Sequence, residues 1–147
     1  MKKKIVFLLL LYTIFLNNLL ISQIVDTNWV NCSNQACKIS EPFKINGSRL
    51  EWTGSCSSGF AEGRGIARHY YDSTLISIFT GNYHNGKREG SGVLIFPKSN
   101  KSWEGNFKEG QMLGTGKYTD DEGNIYQGNF VNYYQFGFGI KKMGNGS

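Results

Sequence analysis

The sequence predicts an all-β protein made of stacked, repeated antiparallel β-hairpins, and three observations carry that prediction. First, a fixed frame recurs four times: an aromatic residue, glycine at +2, a large side chain at +4, and glycines at +7, +11 and +13. Recurrence at a period of this size marks a stacked-repeat architecture. Second, the aromatic, the +2 glycine and the +4 side chain fall on alternate positions, which places them on one face of a strand. Third, 15 of the 19 glycines sit in the frame, so the glycine excess is positional and does not mark a low-complexity chain.

The copies open at Trp52, Phe79, Trp103 and Tyr126. Trp52 is followed by Gly54, Cys56, Gly59, Gly63 and Gly65, and Phe79 by Gly81, Tyr83, Gly86, Gly90 and Gly92. Trp103 leads Gly105, Phe107, Gly110, Gly114 and Gly116, and Tyr126 leads Gly128, Phe130, Gly137 and Gly139. Only Cys56 at +4 of the first copy and Tyr133 at +7 of the fourth depart from the frame.

The first element in chain order is a targeting segment. Lys2, Lys3 and Lys4 precede a short apolar stretch over residues 5–16, and a small residue, Ser22, follows. A positive start, an apolar middle and a small residue at the end read as a secretory signal over 1–22, and the expected destination is periplasm, cell surface or medium. The competing reading is an uncleaved membrane anchor over 5–25, against which stand Asn17, Asn18 and a core shorter than the roughly 20 apolar residues that spanning requires. Without residues 1–22 the chain keeps 13 Lys and Arg against 11 Asp and Glu, close to neutral. No one-sign stripe remains, which excludes a nucleic-acid partner for want of a basic face.

Residues 23–51 match no copy and are expected to cover the open end of the stack as an N-terminal cap. They carry Cys32 and Cys37, which with Cys56 make three cysteines. Export favours one disulfide and one remaining thiol. The favoured bridge joins Cys37 to Cys56, with Cys56 facing the core in the slot that holds Tyr83, Phe107 and Phe130 elsewhere. A small Cys32–Cys37 loop is the alternative.

Residues 52–147 then form the four repeats. Within 103–116, Trp103, Gly105 and Phe107 share a face, the chain turns near Lys108 and Glu109, and Gly114 and Gly116 return on one face. The rings Trp52, Phe79, Tyr83, Trp103, Phe107, Tyr126 and Phe130 are the expected repeat core. Bare glycine leaves a recess on which a ring from a facing strand or a neighbouring hairpin can lie. The +7 glycine belongs to the turn, most clearly at Asn85 and Gly86. In the second copy Val93, Leu94, Ile95 and Phe96 form an apolar run, which suggests burial on both faces.

This frame resembles the MORN (membrane occupation and recognition nexus) repeat, in which a Tyr-x-Gly-x-Trp opening is followed by G-x-x-x-G-x-G. The resemblance rests on the four sets above and is clearest in 79–92 and 103–116. It implies an elongated, twisted single-sheet solenoid that binds or scaffolds. Proteins, lipids and further copies of the chain are the partners that it suggests. Cys56 then stands as a covalent substitute for a ring, and Tyr133 leaves the shape of the last turn open.

No catalytic set emerges. His69 and His84 are the only histidines, and His84 falls in the turn before Asn85 and Gly86. Gly114-Thr115-Gly116-Lys117 lacks the first glycine of a phosphate loop and has Tyr118 where Ser or Thr is needed. Asp120, Asp121 and Glu122 lack the spaced oxygens of a calcium loop, and three scattered cysteines do not make a zinc site. The sequence therefore implies neither an enzyme nor a cofactor nor a metal. It points to an exported interaction or scaffold module, or alternatively to a peripheral binder of anionic membrane through Lys87, Arg88, Lys98, Lys101, Lys108, Lys141 and Lys142. Tyr133, Tyr134, Phe136 and Phe138 crowd the last hairpin. Folded back, they form a terminal lid on the stack; offered outward, they are the candidate contacts for a protein, an envelope component or a second copy pairing with the final edge.

Overall fold

A computed structural model describes residues 29–144, so the targeting segment at 1–22 lies outside the described residues. These residues fold into eleven strands and no helix: β1 (Trp29–Asn31), β2 (Lys38–Ser40), β3 (Arg49–Trp52), β4 (Ser55–Ser57), β5 (Phe60–Tyr71), β6 (Thr74–His84), β7 (Lys87–Phe96), β8 (Lys101–Lys108), β9 (Gln111–Thr119), β10 (Ile125–Val131) and β11 (Tyr134–Lys142). They make one open sheet in which β5 to β11 follow chain order, while β2, β3 and β4 all pair with β5. Pairing is antiparallel throughout, apart from single parallel contacts of Lys38 with Phe60 and Cys32 with Leu50. The fold is thus the all-β stack of hairpins that the repeat frame predicts.

Each position of the frame has a separate physical role. The +7 residue closes a two-residue turn. Asn85 and Gly86 have φ of 48° and 73°, the doubly left-handed form whose twist matches the flanking strands. The +11 glycine sits where the ladder slips: Gly81 pairs with Gly92 but Asn82 with Glu89, so Gly90 and Ser91 bulge out of the β6 register. Gly90 takes φ 69° there.

The +2 and +13 glycines form one line across seven strands, with Gly65, Gly81, Gly92, Gly105, Gly116, Gly128 and Gly139 paired in succession. Along this line the opening rings of the first, second and fourth copies fold onto their own hairpins. For the +13 glycine the ring comes from the facing strand, one of the two expected sources, whereas for the +2 glycine it comes from the same strand. A Cβ at Gly81 would stand 2.6 Å from Cζ of Phe79, and one at Gly92 would meet the same ring. Trp52 and Tyr126 cover their own glycine pairs in the same way. The third copy differs: Met112 fills the recess over Gly105 and Gly116, and Trp103 leans on Tyr118 and Phe96 with centroids 4.6 and 5.6 Å away.

The core lies on the ring-bearing face. Trp52 packs on Tyr83 at 4.9 Å, Tyr83 on Phe79 at 5.3 Å and Phe79 on Phe107 at 5.0 Å, all edge-to-face. Such pairs contribute about 0.5–1.5 kcal/mol each beyond their buried area. The apolar run in β7 is buried on one face only: Leu94 is enclosed, whereas Ile95 is 40% exposed on the opposite side. Strand alternation overrides the continuous apolar run.

Residues 29–48 do more than close the first repeat. Ser40 N–H donates to Gly86 O at 2.8 Å and Gly86 N–H donates to Ala61 O at 2.9 Å, which seats β2 against the turns of the first two copies. The segment then runs along the core face until Phe43 meets Phe96 at 5.6 Å and Tyr133 at 5.2 Å. Cys37 and Cys56 are joined in a disulfide. Cys37 is buried, but Cys56 is exposed, not core-facing, because β4 lies at the margin of the sheet, paired only with the end of β5.

Candidate interaction surface

The last strand differs from the other long strands of the stack, β5 to β10. β11 pairs with β10 along one side only, so its other side is an open edge among the described residues. All nine residues of β11 are exposed. Tyr134, Phe136, Phe138 and Ile140 are 78%, 65%, 99% and 74% exposed. The same frame positions carry Lys87, Glu89, Ser91 and Val93 in the second copy, and Gln111, Leu113, Thr115 and Lys117 in the third. Tyr134, Phe136 and Ile140 pair with Val131, Asn129 and Gln127, and therefore project from the face opposite Phe130 and Tyr126. Val131 and Leu113, both about 40% exposed, extend the patch inward. Exposed aromatic side chains gathered on a strand with one open edge are the surface type that marks contact sites.

Tyr133 does not belong to that surface. The sequence grouped it with Tyr134, Phe136 and Phe138, but the structure turns it inward. Asn132 and Tyr133 take φ of 51° and 70°, so Tyr133 adopts the backbone of the missing turn glycine. Its ring meets Phe43, Trp103 and Phe107. Its hydroxyl donates to Gly110 O at 2.7 Å and accepts from Arg88 Nη1 at 2.9 Å. Burial pushes its phenol above the ordinary range.

Arg88 likewise leaves the set of lipid-facing cations. It is 1% exposed, and its Nη2 donates to the equally buried Glu41 Oε2 at 2.6 Å. Its guanidinium also lies over the Phe79 ring, 5.2 Å from the centroid. A signal for this was present in the sequence. Arg88 occupies the +9 slot, which holds Ala61 and Met112 in the first and third copies, both buried. An arginine in an inward-facing slot requires a buried counter-charge. Among the other basic residues, Lys87 pairs with Glu109 at 2.8 Å and Lys101 with Asp121 at 3.6 Å, while Lys98, Lys108, Lys141 and Lys142 are exposed.

His69 is buried with both ring nitrogens unpartnered, and burial lowers its pKa. The exposed His84 hydrogen-bonds Glu62 at 3.0 Å, and that bond raises its pKa. Among the described residues no three His, Cys, Asp or Glu side chains gather as a metal site. Asp120 spends its carboxylate within its own turn, accepting from the N–H groups of Glu122 and Asn124. Gly114 and Gly116 lie in β9, so no helix N-terminus follows them to receive a phosphate. No helix among the described residues is long and apolar enough to cross a membrane.

Comparison with known proteins agrees with this geometry. The MORN repeat family model matches residues 79–101 and 103–125, which are the second and third copies with their connections. Alsin from Rattus norvegicus and from Mus musculus is 30% identical over 97 residues, and Alsin from Homo sapiens 29%. Those matches cover 63% of this chain but only 6% of the length of each relative. The second and third copies thus match the MORN repeat model, and the chain spans a small part of the relatives that it resembles.

Proposed function

We propose that this chain is an exported, non-catalytic scaffold whose four copies are all MORN-type repeats, and that it holds a protein partner on β11. The carrying observation is the row Tyr134, Phe136, Phe138 and Ile140 on a strand with a free edge. A partner strand laid along that edge gains backbone hydrogen bonds, and the aromatic row supplies buried area and selectivity. A second copy or an envelope protein fits this chemistry. The apolar stretch behind Lys2, Lys3 and Lys4 supports export, and the Cys37–Cys56 bridge fits an oxidising compartment. N-terminal sequencing of the mature protein tests that part; a retained Met1 removes it.

The partner site is tested by crosslinking and pull-down from the native envelope, together with light scattering of the pure protein. A Phe136→Ser, Phe138→Ser double variant leaves the core untouched. It is expected to lose either a reproducible partner or self-association. Equal recovery and equal mass for variant and wild type overturn the assignment. Lys141 and Lys142, exposed on the same strand as Phe138, favour a second reading, attachment to anionic membrane. Flotation with phosphatidylserine vesicles separates the two: binding that disappears between low and physiological salt supports the membrane reading, and absence of binding in both removes it.

A further inference from the structure

The three cysteines are neighbours in space. Cys32 and Cys37 face each other across the β1–β2 hairpin, continuing the register in which Asn31 opposes Lys38. Cys32 N–H donates to Cys37 O at 2.8 Å, which makes them a hydrogen-bonded antiparallel pair. Residues in such pairs have Cα atoms about 5.5 Å apart, within the range a disulfide spans. Cys37 is also bonded to Cys56, with Cα atoms 5.7 Å apart. The thiol of Cys32 is buried, and its Sγ lies 3.7 Å from Sγ of Cys37. An open groove bordered by Gln35, Ala36, Lys38 and Gly59 reaches both Cys32 and Cys37. Cys37 thus has two sulfur partners within reach, one buried and one exposed.

We propose that Cys32 is the attacking thiol of an internal disulfide exchange that moves the bridge from Cys37–Cys56 to Cys32–Cys37 and releases Cys56 as a surface thiol. The Cys32 thiolate attacks Sγ of Cys37, a Cys32–Cys37 bond forms and the Cys37–Cys56 bond breaks. The electron pair of the broken bond leaves on Cys56, which takes up through solvent the proton that Cys32 gave up. Nothing is oxidised or reduced overall, so the step needs no redox partner. Its consequence is twofold. The covering segment loses its covalent tie to the first repeat, and an exposed nucleophilic sulfur appears at Cys56, able to attack an accessible disulfide of a partner. Burial pushes the Cys32 thiol up to about 11, so little thiolate exists at neutral pH and the Cys37–Cys56 form is long-lived. Uncatalysed disulfide rearrangements of this kind run over minutes to hours.

The test uses the oxidised full chain and a maleimide bearing a polyethylene glycol chain too bulky to enter the core. The expected result is slow modification of Cys56, with a Cys32–Cys37 peptide recovered by mapping after an acid quench, and labelling at background in Cys32→Ala. Modification of Cys32 instead, no modification at all, or equal labelling of Cys56 in Cys32→Ala overturns the proposal. Cys56→Ser provides an independent measurement. Oxidation of that variant is expected to give the Cys32–Cys37 bond with no free thiol, and recovery of both cysteines reduced overturns the geometry on which the exchange depends.

Discussion

Arg88 and Glu41 are an ion pair withdrawn almost completely from water, and such a pair behaves asymmetrically. Keeping both charges costs desolvation that their attraction offsets, whereas removing one leaves the other uncompensated. Glu41→Gln is therefore expected to lose about 3–5 kcal/mol in urea denaturation, whereas Arg88→Met combined with Glu41→Leu stays near wild type. The glycines divide just as sharply. Gly90 has φ 69° with only an ordinary contact near its Cβ direction, Asn82 Nδ2 at 3.9 Å, and Gly92 has ordinary φ with the Phe79 ring against it. Gly90→Ala should cost about 1–2 kcal/mol for left-handed backbone, and Gly90→Asn less, since asparagine tolerates that region. Gly92→Ala should cost about 1–3 kcal/mol through overpacking, be worse as Asn, and be partly rescued by Phe79→Leu. Equal ranking of Ala and Asn at both sites in thermal melts would count against separate roles. His69 adds a pH dependence. Its folded pKa lies below the ordinary 6.5 because burial disfavours the charged ring, so the unfolded chain binds the proton more readily. Stability is held above about 6.5 and lost as pH falls from there through the folded pKa, and His69→Leu should flatten that slope. The exposed His84, raised by its bond to Glu62, acts in the opposite sense, but solvent screens it.

At the level of the hairpin, the last turn shows how one side chain does the work of two features. Tyr133 accepts left-handed backbone, at a cost of about 1–2 kcal/mol for a residue with a Cβ, because its ring and hydroxyl are held on both sides. Tyr133→Phe keeps the ring but leaves Gly110 O and Arg88 Nη1 without their partner, and should lose about 1–3 kcal/mol. Tyr133→Gly relieves the backbone yet loses ring and hydroxyl together, and is expected to be the less stable of the two in denaturant titrations. The hairpins were legible in the sequence because each is specified locally. Asn85 and Gly86 announce their turn, and Phe79, Gly81 and Tyr83 announce a strand face. The apolar run at Val93, Leu94, Ile95 and Phe96 misled because composition alone does not say which face a strand buries. That Tyr133 alone of the four aromatics folds inward was illegible for a different reason. Its partners, Phe43 and Arg88, come from other elements, and spacing within one copy carries no information about them. The same holds for Arg88 and Glu41, which are 47 residues apart. The exposed aromatic row at Tyr134, Phe136 and Phe138 was readable, because those slots hold mostly polar residues in the earlier copies and three aromatics here.

For the whole molecule, the repeat frame by itself gives a ladder in which each hairpin touches only its neighbours, and stability in such arrays is a sum of local terms. The covering segment breaks that locality. Through Lys38 it pairs with β5, through Glu41 it reaches β7, and through Phe43 it touches the β10–β11 turn. Copies remote along the ladder thereby share one set of buried contacts, and β5 to β8 should open only together. β11 receives none of this support along its length, because only the preceding turn residue, Tyr133, packs against the core and every residue of the strand is exposed. Native-state hydrogen exchange should therefore show a gradient, with β11 amides exchanging through local opening and β6 and β7 amides only through global unfolding. Glu41→Gln should lower protection first in residues 29–48 and then across β5 to β8, leaving β11 at its already low level. The low local stability of β11 is also what a docking edge requires, since a strand that frays when free gains order when a partner pairs with it. If β11 amides prove as protected as those of β6 in a strict monomer, the strand is held by something other than a partner, and the aromatic row loses its part in recognition.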